Sequence, residues 1–499
     1  MNIPKRMQIA IYSYLSLPIL IFFAGWMKFY FSLPLCGFVI AALYRAINHP
    51  EPKTKSKIKA PEVPAFRIRD NLWICAAAFG IIFFWVLISG IGKFTFQNGD
   101  HTTRNGLFEL LVNNKWPIVI DSPHYDKPVG LIYYIGFWMP SAVIGKCFGM
   151  TAGYFSQVLW ASIGIFLFYY IVSAKFVKKA ALWPLAIIIF FSGLDILGKF
   201  LMGEDILSIL SDNTSHIEWW AGTSTMQYSS FTTQLFWVFN QAVPIWLCTV
   251  TIIAQKNSRE IVLLFALTML NGVLPAMGVA VLILFVVGNK LVLALKKKPY
   301  APSLKSFMAE HFTFENYVGA VVALVFVMYY MGNFVSQNGG FRTWSSFGGV
   351  LVMVLVFFAV EAGFYIAAVA PFHKKNFLFY YVIVVLLCIC PWYVLGIYND
   401  FCMRVSIPAL VVLLCLVVDT LIKAKEQNKR RLVAVIICLL IIGGLTPINE
   451  IVRSVSNTVI TEQSKQPQGI YSLNPIDVDF IRDQFYGYSD SFFFKYLAK

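Results

Sequence analysis

Residues 128–149 read PVGLIYYIGFWMPSAVIGKCFG, an apolar run of the length that crosses a bilayer, and the topology of the chain turns on whether it does. Lys175, Lys178 and Lys179 follow the next apolar run. Counting 128–149 as a crossing would carry those lysines to the side opposite the other basic clusters, against the tendency of Lys and Arg to stay in the cytoplasm. The run is therefore expected to lie in, or dip into, the outer interface, as its Tyr, Trp, Pro and Gly content allows.

The rest of the chain has the same character. Of 499 residues, 58% are hydrophobic, 16% aromatic and only 13% charged, and the mean hydropathy is +0.69. Those values exclude a soluble globular protein and leave no room for a large soluble catalytic domain. The formal charge of +15 does not point to nucleic acid, because the Lys and Arg fall in short clusters between apolar runs, where they orient spans. The first apolar run, from Ile9, lacks a small-residue cleavage site and is followed at once by another, so it reads as a retained span. The nine cysteines lie mostly inside apolar runs without CxxC or CxxH spacing, as packing residues do.

Seven basic clusters fix the sides: Lys5-Arg6, 53–69, 175–179, Lys256 with Arg259, 296–298, Lys374-Lys375 and 423–431. Placing all of them in the cytoplasm gives about 13 spans, near 8–25, 28–46, 71–93, 153–173, 181–199, 232–254, 260–272, 274–293, 317–336, 347–371, 377–396, 405–422 and 432–447. The expected fold is an all-α polytopic bundle over 1–447, with the N-terminus cytoplasmic and the C-terminus outside. Segments 260–272 and 274–293 fold back through Asn271-Gly272. Outside lie a first large loop (94–152) with amphipathic surface helices, a second (200–231), and an outward tail or small lid (448–499). No internal repeat is evident.

Polar residues concentrate in the outer loops. Asp100, His101 and Arg104 precede apolar positions Leu107, Phe108, Leu110 and Leu111, the spacing of a short helix lying along the membrane surface. Asp100 is either a helix N-cap with a local ion pair or a functional acid. The turn that follows carries Asp121, His124, Asp126 and Lys127, then Tyr133-Tyr134.

These residues resemble the GT-C glycosyltransferases, especially bacterial members that use a polyprenyl-phosphate sugar, such as aminoarabinose and protein mannosyl transferases. The resemblance rests on an acid at the mouth of the first large outer loop, a surface helix ending in Lys115-Trp116-Pro117, and Lys127-Pro128-Val129-Gly130-Leu131-Ile132-Tyr133-Tyr134 in the place of a KPPLYYW-type motif. The second proline and the tryptophan of that motif are absent, and Asp100-His101 stands where many members carry Asp-Glu or Glu-Pro. It covers roughly 95–180 in pattern and the remainder in architecture alone. Stretches 97–102 and 399–404 also resemble those of other bacterial membrane proteins. The resemblance implies a many-helix GT-C-like bundle in the bacterial cytoplasmic membrane. Its implied substrates are a polyprenyl-phosphate sugar donor and a glycan, lipid or protein acceptor at the outer face.

Sugar transfer from a lipid phosphate needs a base for the acceptor and positive charge on the leaving phosphate. Asp100 is the candidate base, with Asp195 a second acid unless an i,i+4 pair with Lys199 satisfies it. Lys127, Arg104, Arg342 and Arg404 are candidates for the phosphate, although Arg342 and Arg404 also suit loop anchoring. His101, Asp126 and Tyr133 complete the substrate-binding candidates of the first loop. Glu204, Asp205, His216 and Glu218 with Trp219-Trp220 suit a sugar platform or a divalent metal site, but the tryptophans favour interfacial anchoring, and no HExxH-like spacing fixes a metal. Asn240, Gln241 and Glu361 inside spans are costly in lipid. With Asp195 they define the alternative, a transporter or flippase of a lipid-linked glycan or small solute. Asp477 and Asp479 form a DxD without the soluble domain that would give it meaning.

Overall fold

The computed structural model describes residues 3–48, 66–121, 124–205, 217–220, 226–255, 257–334, 339–342, 347–375, 377–396, 399–460 and 483–499, and it is 76% helical. Among these residues the helices are, in chain order, α1 (Lys5–Trp26), α2 (Phe29–Asn48), α3 (Leu72–Leu87), α4 (Asp100–Asn113), α5 (Met139–Phe148), α6 (Met150–Val172) and α7 (Trp183–Phe190). Next come α8 (Asp195–Leu201), α9 (Phe231–Ala254), α10 (Ile261–Ala266), α11 (Val273–Lys296), α12 (Tyr300–His311), α13 (Phe314–Tyr330) and α14 (Phe347–Phe358). The last are α15 (Phe364–His373), α16 (Phe377–Ile389), α17 (Asp400–Val405), α18 (Ile407–Glu426), α19 (Arg430–Gly443) and α20 (Leu445–Ile460).

Ten segments built from these helices are long and apolar enough to cross a membrane, and the number is eleven if the α12–α13 pair, bent by 51°, is one broken span. The chain is thus an all-α polytopic membrane protein. Each of the expected apolar runs forms helix, but the runs 260–272 and 377–396 yield only the short helices Ile261–Asn271 and Leu378–Trp392. At about 1.5 Å per residue such helices reach roughly half to three quarters of the 30 Å hydrocarbon core. The run 432–447 continues instead: α19 and α20 form one segment, Arg430–Thr458. Residues 448–458, expected in the tail, therefore belong to the bundle.

The centre of the bundle is α9, 94% of whose apolar window is buried, packed on α6 and α18. A helix apolar all round belongs at such a position, while α2 and α3 keep open faces as lipid-facing helices do. Some polar groups of α9 bond neighbouring helices, with Trp85 Nε1 donating to Thr232 Oγ1 at 3.2 Å and Thr232 Oγ1 to the Ile189 carbonyl at 2.7 Å, and Trp246 Nε1 donates within α9 to Gln234 Oε1 at 2.7 Å.

Basic connections gather at one end. Arg45 pairs with Glu315 at 3.0 Å, Lys290 bonds both Ser258 and Glu310, and Lys429 lies over the Phe372 ring. The bonds of Lys290 near the close of α11 return it to the level where α10 begins, so the expected fold-back through Asn271-Gly272 is present. Segment 296–316, expected as a linker, contains α12, all of whose residues are at least partly exposed.

At the opposite end lie α4, α5 and a three-stranded antiparallel sheet of β1 (Val119–Ile120), β2 (Val129–Leu131) and, after β3 (Gly340–Phe341) and β4 (Tyr393–Val394), β5 (Tyr486–Tyr488). Residues 128–149 thus form a strand, a 3-10 turn and the ten-residue α5, not a crossing. The first half is covered by protein, with Leu131, Ile132, Ile135, Phe137 and Met139 wholly buried, whereas Ile144 and Phe148 near the end of α5 are exposed. Pro128 and the glycines break the run. A Cβ on Gly130 would sit 2.5 Å from the Phe494 ring, so only glycine lets residues 486–498 pack on this strand. That returning segment is fastened by Tyr486 opposite Leu131, by Phe493 against Phe22 and Tyr329, and by Lys499 N–H donating to the Trp26 carbonyl at 2.9 Å.

Candidate functional site

After α3 the chain turns through Gly90 and Gly92, both at positive φ, and enters α4 at Asp100. Gly99 occupies the N-cap position, and no side chain caps the helix. The capping role considered for Asp100 is therefore not what its carboxylate does. Its Oδ2 accepts from Arg104 Nη2 at 3.0 Å, one turn on, with Asp100 half-exposed and Arg104 buried. The Arg104 guanidinium also lies over the Phe239 ring, 5.4 Å from its centroid. The apolar face of α4 does not rest on lipid as expected: Leu107, Phe108 and Leu111 are buried, with Phe108 against Tyr154 of α6.

α9 is kinked at Val238 (φ −137°, ψ 33°), and beside this kink the Phe236 carbonyl accepts from His101 at 3.0 Å and from Asn98 at 3.3 Å. Bonding a carbonyl requires His101 Nε2 to carry the proton, which leaves Nδ1 to accept from Gln97 at 3.4 Å. Burial and then the Arg104 charge push His101 down to about 4. Its role is to hold α4 on α9, not to touch substrate. The unfolded chain, with an ordinary value near 6.5, takes up the proton first. The stability His101 contributes is therefore whole above about pH 6.5 and is lost, by roughly 3 kcal/mol, as pH falls towards 4. Thermal unfolding in detergent between pH 7.5 and 4.5 should show this loss in the wild type and a flatter profile in His101→Gln.

Two other segments meet α4 here. Asn399, at positive φ, accepts from Cys402 N–H and starts α17. Within α17, Arg404 Nη2 bonds Asp400 Oδ1 at 3.1 Å. The Tyr133 hydroxyl, pushed up by burial, lies within the fields of Arg404, Arg104 and Asp100. Burial works against the charge on Arg404, but Asp400 and then Tyr133, Tyr134 and Asp100 raise its pKa. Two buried guanidinium nitrogens, Arg104 Nη1 and Arg404 Nε, have no hydrogen-bond partner. So 98–104, 133–134 and 399–404, far apart in sequence, bring two carboxylates, two guanidiniums and two phenols within electrostatic range of one another.

The other first-loop candidates stand apart. Asp126 and Lys127 are exposed on the turn between β1 and β2, and among the described residues no bond joins them to Asp100. Arg342 anchors the β3–β4 pair, donating from Nε to the Pro391 carbonyl at 2.7 Å. Sequence reasoning missed Asp400, and it missed Arg453, which donates to Asn98 at 2.9 Å and to Glu450 at 2.7 Å. The i,i+3 spacing of Glu450 and Arg453 was the available signal, but it lay in a stretch read as tail.

A second cluster lies inside the spans. α7 stops at Phe190, α8 begins at Asp195, and the facing helix is broken by the π-turn Ala359–Gly363 that carries Glu361. Asp195 does not pair with Lys199. Its Oδ2 accepts from Ser192 and Thr446, both at 2.8 Å, and Lys199 bonds Glu204 at 3.0 Å. Glu361 Oε1 accepts from Trp220 Nε1 at 2.5 Å and its Oε2 has no hydrogen-bond partner, while Leu194 N–H donates to the Val360 carbonyl at 3.3 Å and brings the two helix breaks together. Gly193 makes the approach possible, since a Cβ there would lie 1.8 Å from Glu361 Oε2.

Glu218 is close by, pushed up to about 8 by burial and then by Asp195. It accepts from Gln227 at 2.6 Å and from Ser230 N–H at 2.9 Å, so its oxygens are engaged. The same Gln227 accepts at its backbone carbonyl from Cys402 Sγ, two residues from Arg404, so a chain of contacts links the two clusters. Trp220 is buried on Gly198 instead of anchoring at an interface. Glu204 and Asp205 are exposed, and His216 lies outside the described residues. Among the described residues no three His, Cys, Asp or Glu side chains come together as metal ligands.

The fold and these clusters define a polytopic helical membrane protein with a charged cluster at the end opposite its basic connections. No known protein family, no curated protein and no solved structure matches the chain.

Proposed function

We propose that the protein is a glycosyltransferase of GT-C type that moves a sugar from a polyprenyl-phosphate carrier to an acceptor at the outer face of a bacterial cytoplasmic membrane. The observation that carries this reading is the Asp100–Arg104 pair at 3.0 Å with Tyr133 and Arg404, from two other distant segments, within its electrostatic range. With the basic end cytoplasmic, this cluster faces outward, and so does Lys499. The acceptor oxygen attacks the anomeric carbon and gives its proton to Asp100. The bond from that carbon to the phosphate oxygen breaks, and the polyprenyl phosphate leaves with the electron pair. Arg104 and Arg404 match the growing charge on its oxygens, a task that suits guanidinium nitrogens without other partners.

The test is the full-length protein in lipid nanodiscs with a panel of polyprenyl-phosphate sugars, following release of polyprenyl phosphate. One donor should be consumed in the presence of a suitable acceptor fraction. A second reading, a proton-coupled transporter or flippase, is favoured by the Asp195–Glu361 pair at two facing helix breaks. No turnover across the panel, together with vesicle transport that Glu361→Gln abolishes, would replace the first reading by the second.

A further inference from the structure

At the basic end a cavity of about 1210 Å³ opens between the end of α6, the start of α7, the close of α18 and the start of α19. It exceeds the usual range for a small-molecule site, roughly 300–1,000 Å³. Its walls are apolar, with Leu421, Val433 and Ile437 among them, and Trp183 at the mouth. Its rim is basic: Lys179, Lys425 and Arg430 against the single acid Glu426. None of these three basic side chains is in an ion pair among the described residues, whereas Lys423 one turn away is held by Asp419 at 2.5 Å. The first turn of α19, which starts at Arg430, has no side-chain cap and presents its amides at the same rim.

An apolar slot between membrane helices under a rim of unpaired cations, with a Trp where headgroups lie, matches one kind of occupant. We infer that this cavity binds an anionic phospholipid of the cytoplasmic leaflet, its phosphate held by Lys179, Lys425 and Arg430 and its acyl chains along α18 and α19. Segment 49–65, which lies outside the described residues, is a poor occupant on charge, because it carries four lysines and two glutamates and would meet a basic rim. The lipid site stands at the end opposite Asp100 and does not depend on the glycosyltransferase reading.

Native mass spectrometry of the full-length protein, titrated in detergent with phosphatidylglycerol or phosphatidylcholine, tests the inference. Phosphatidylglycerol should bind with clear preference. The triple variant K179Q/K425Q/R430Q should weaken its binding by about tenfold or more, and Ala434→Trp, which fills the apolar slot from an exposed helix position, should also weaken it. Melting temperature and gel-filtration profile show that each variant is folded. Equal binding of the two lipids, or wild-type phosphatidylglycerol affinity in either folded variant, overturns the inference.

Discussion

Asp100→Asn is expected to lower polyprenyl-phosphate release in nanodiscs by about 10²–10⁴-fold, the contribution of a positioned general base. The side chain keeps its size, and asparagine can still accept the Arg104 hydrogen bond that orients it. What it loses is the ability to take a proton. Because Asp100 is half-exposed and does not cap α4, the melting temperature should hardly move. A large fall in rate at constant stability is the signature of chemistry. A mutant that transfers as fast as the wild type would remove Asp100 from that role.

Arg404→Gln is the second large effect. Removing a cation that meets developing charge is expected to cost about 10²–10³-fold in transfer. Arg404→Lys should recover only part, because an ammonium cannot hold Asp400 and offer a second fixed nitrogen to the phosphate together. Arg404→Gln also threatens the fold, since Asp400 is 22% exposed and loses its charged partner. The double variant D400N/R404Q separates the two causes. It should regain melting temperature while remaining inactive, and recovery of activity with stability would make Arg404 an anchor of its loop.

The helices were legible because lipid leaves a spanning backbone few alternatives: apolar length near that of the bilayer reads directly as a crossing. The same criterion missed the extension of α19 into α20. Beyond Pro447 the residues Asn449, Glu450 and Arg453 lower the hydropathy, yet these polar groups are buried on Trp237 and Asn98. For the charged cluster, Asp100 and Arg104 were legible as i,i+4 neighbours and Arg404 as an outer arginine. That both guanidiniums act on Tyr133 was not, because no local pattern encodes the approach of 104, 133 and 404. Asp195 likewise offered Lys199 as a local partner, and the structure gave it Ser192, Thr446 and Glu361 across a helix break.

The strand that leads into Tyr133 is closed on one edge by residues from the other end of the sequence, with Val129 opposite Tyr488 and Ala498 bridged to Met27. In biosynthesis the early spans are inserted long before that partner strand emerges from the ribosome. Until it arrives, β2 has an open edge and Phe22 lacks the ring of Phe493. The charged end is therefore completed late, and a ribosome stalled short of residue 486 would leave inserted spans whose β2 edge is still unpaired.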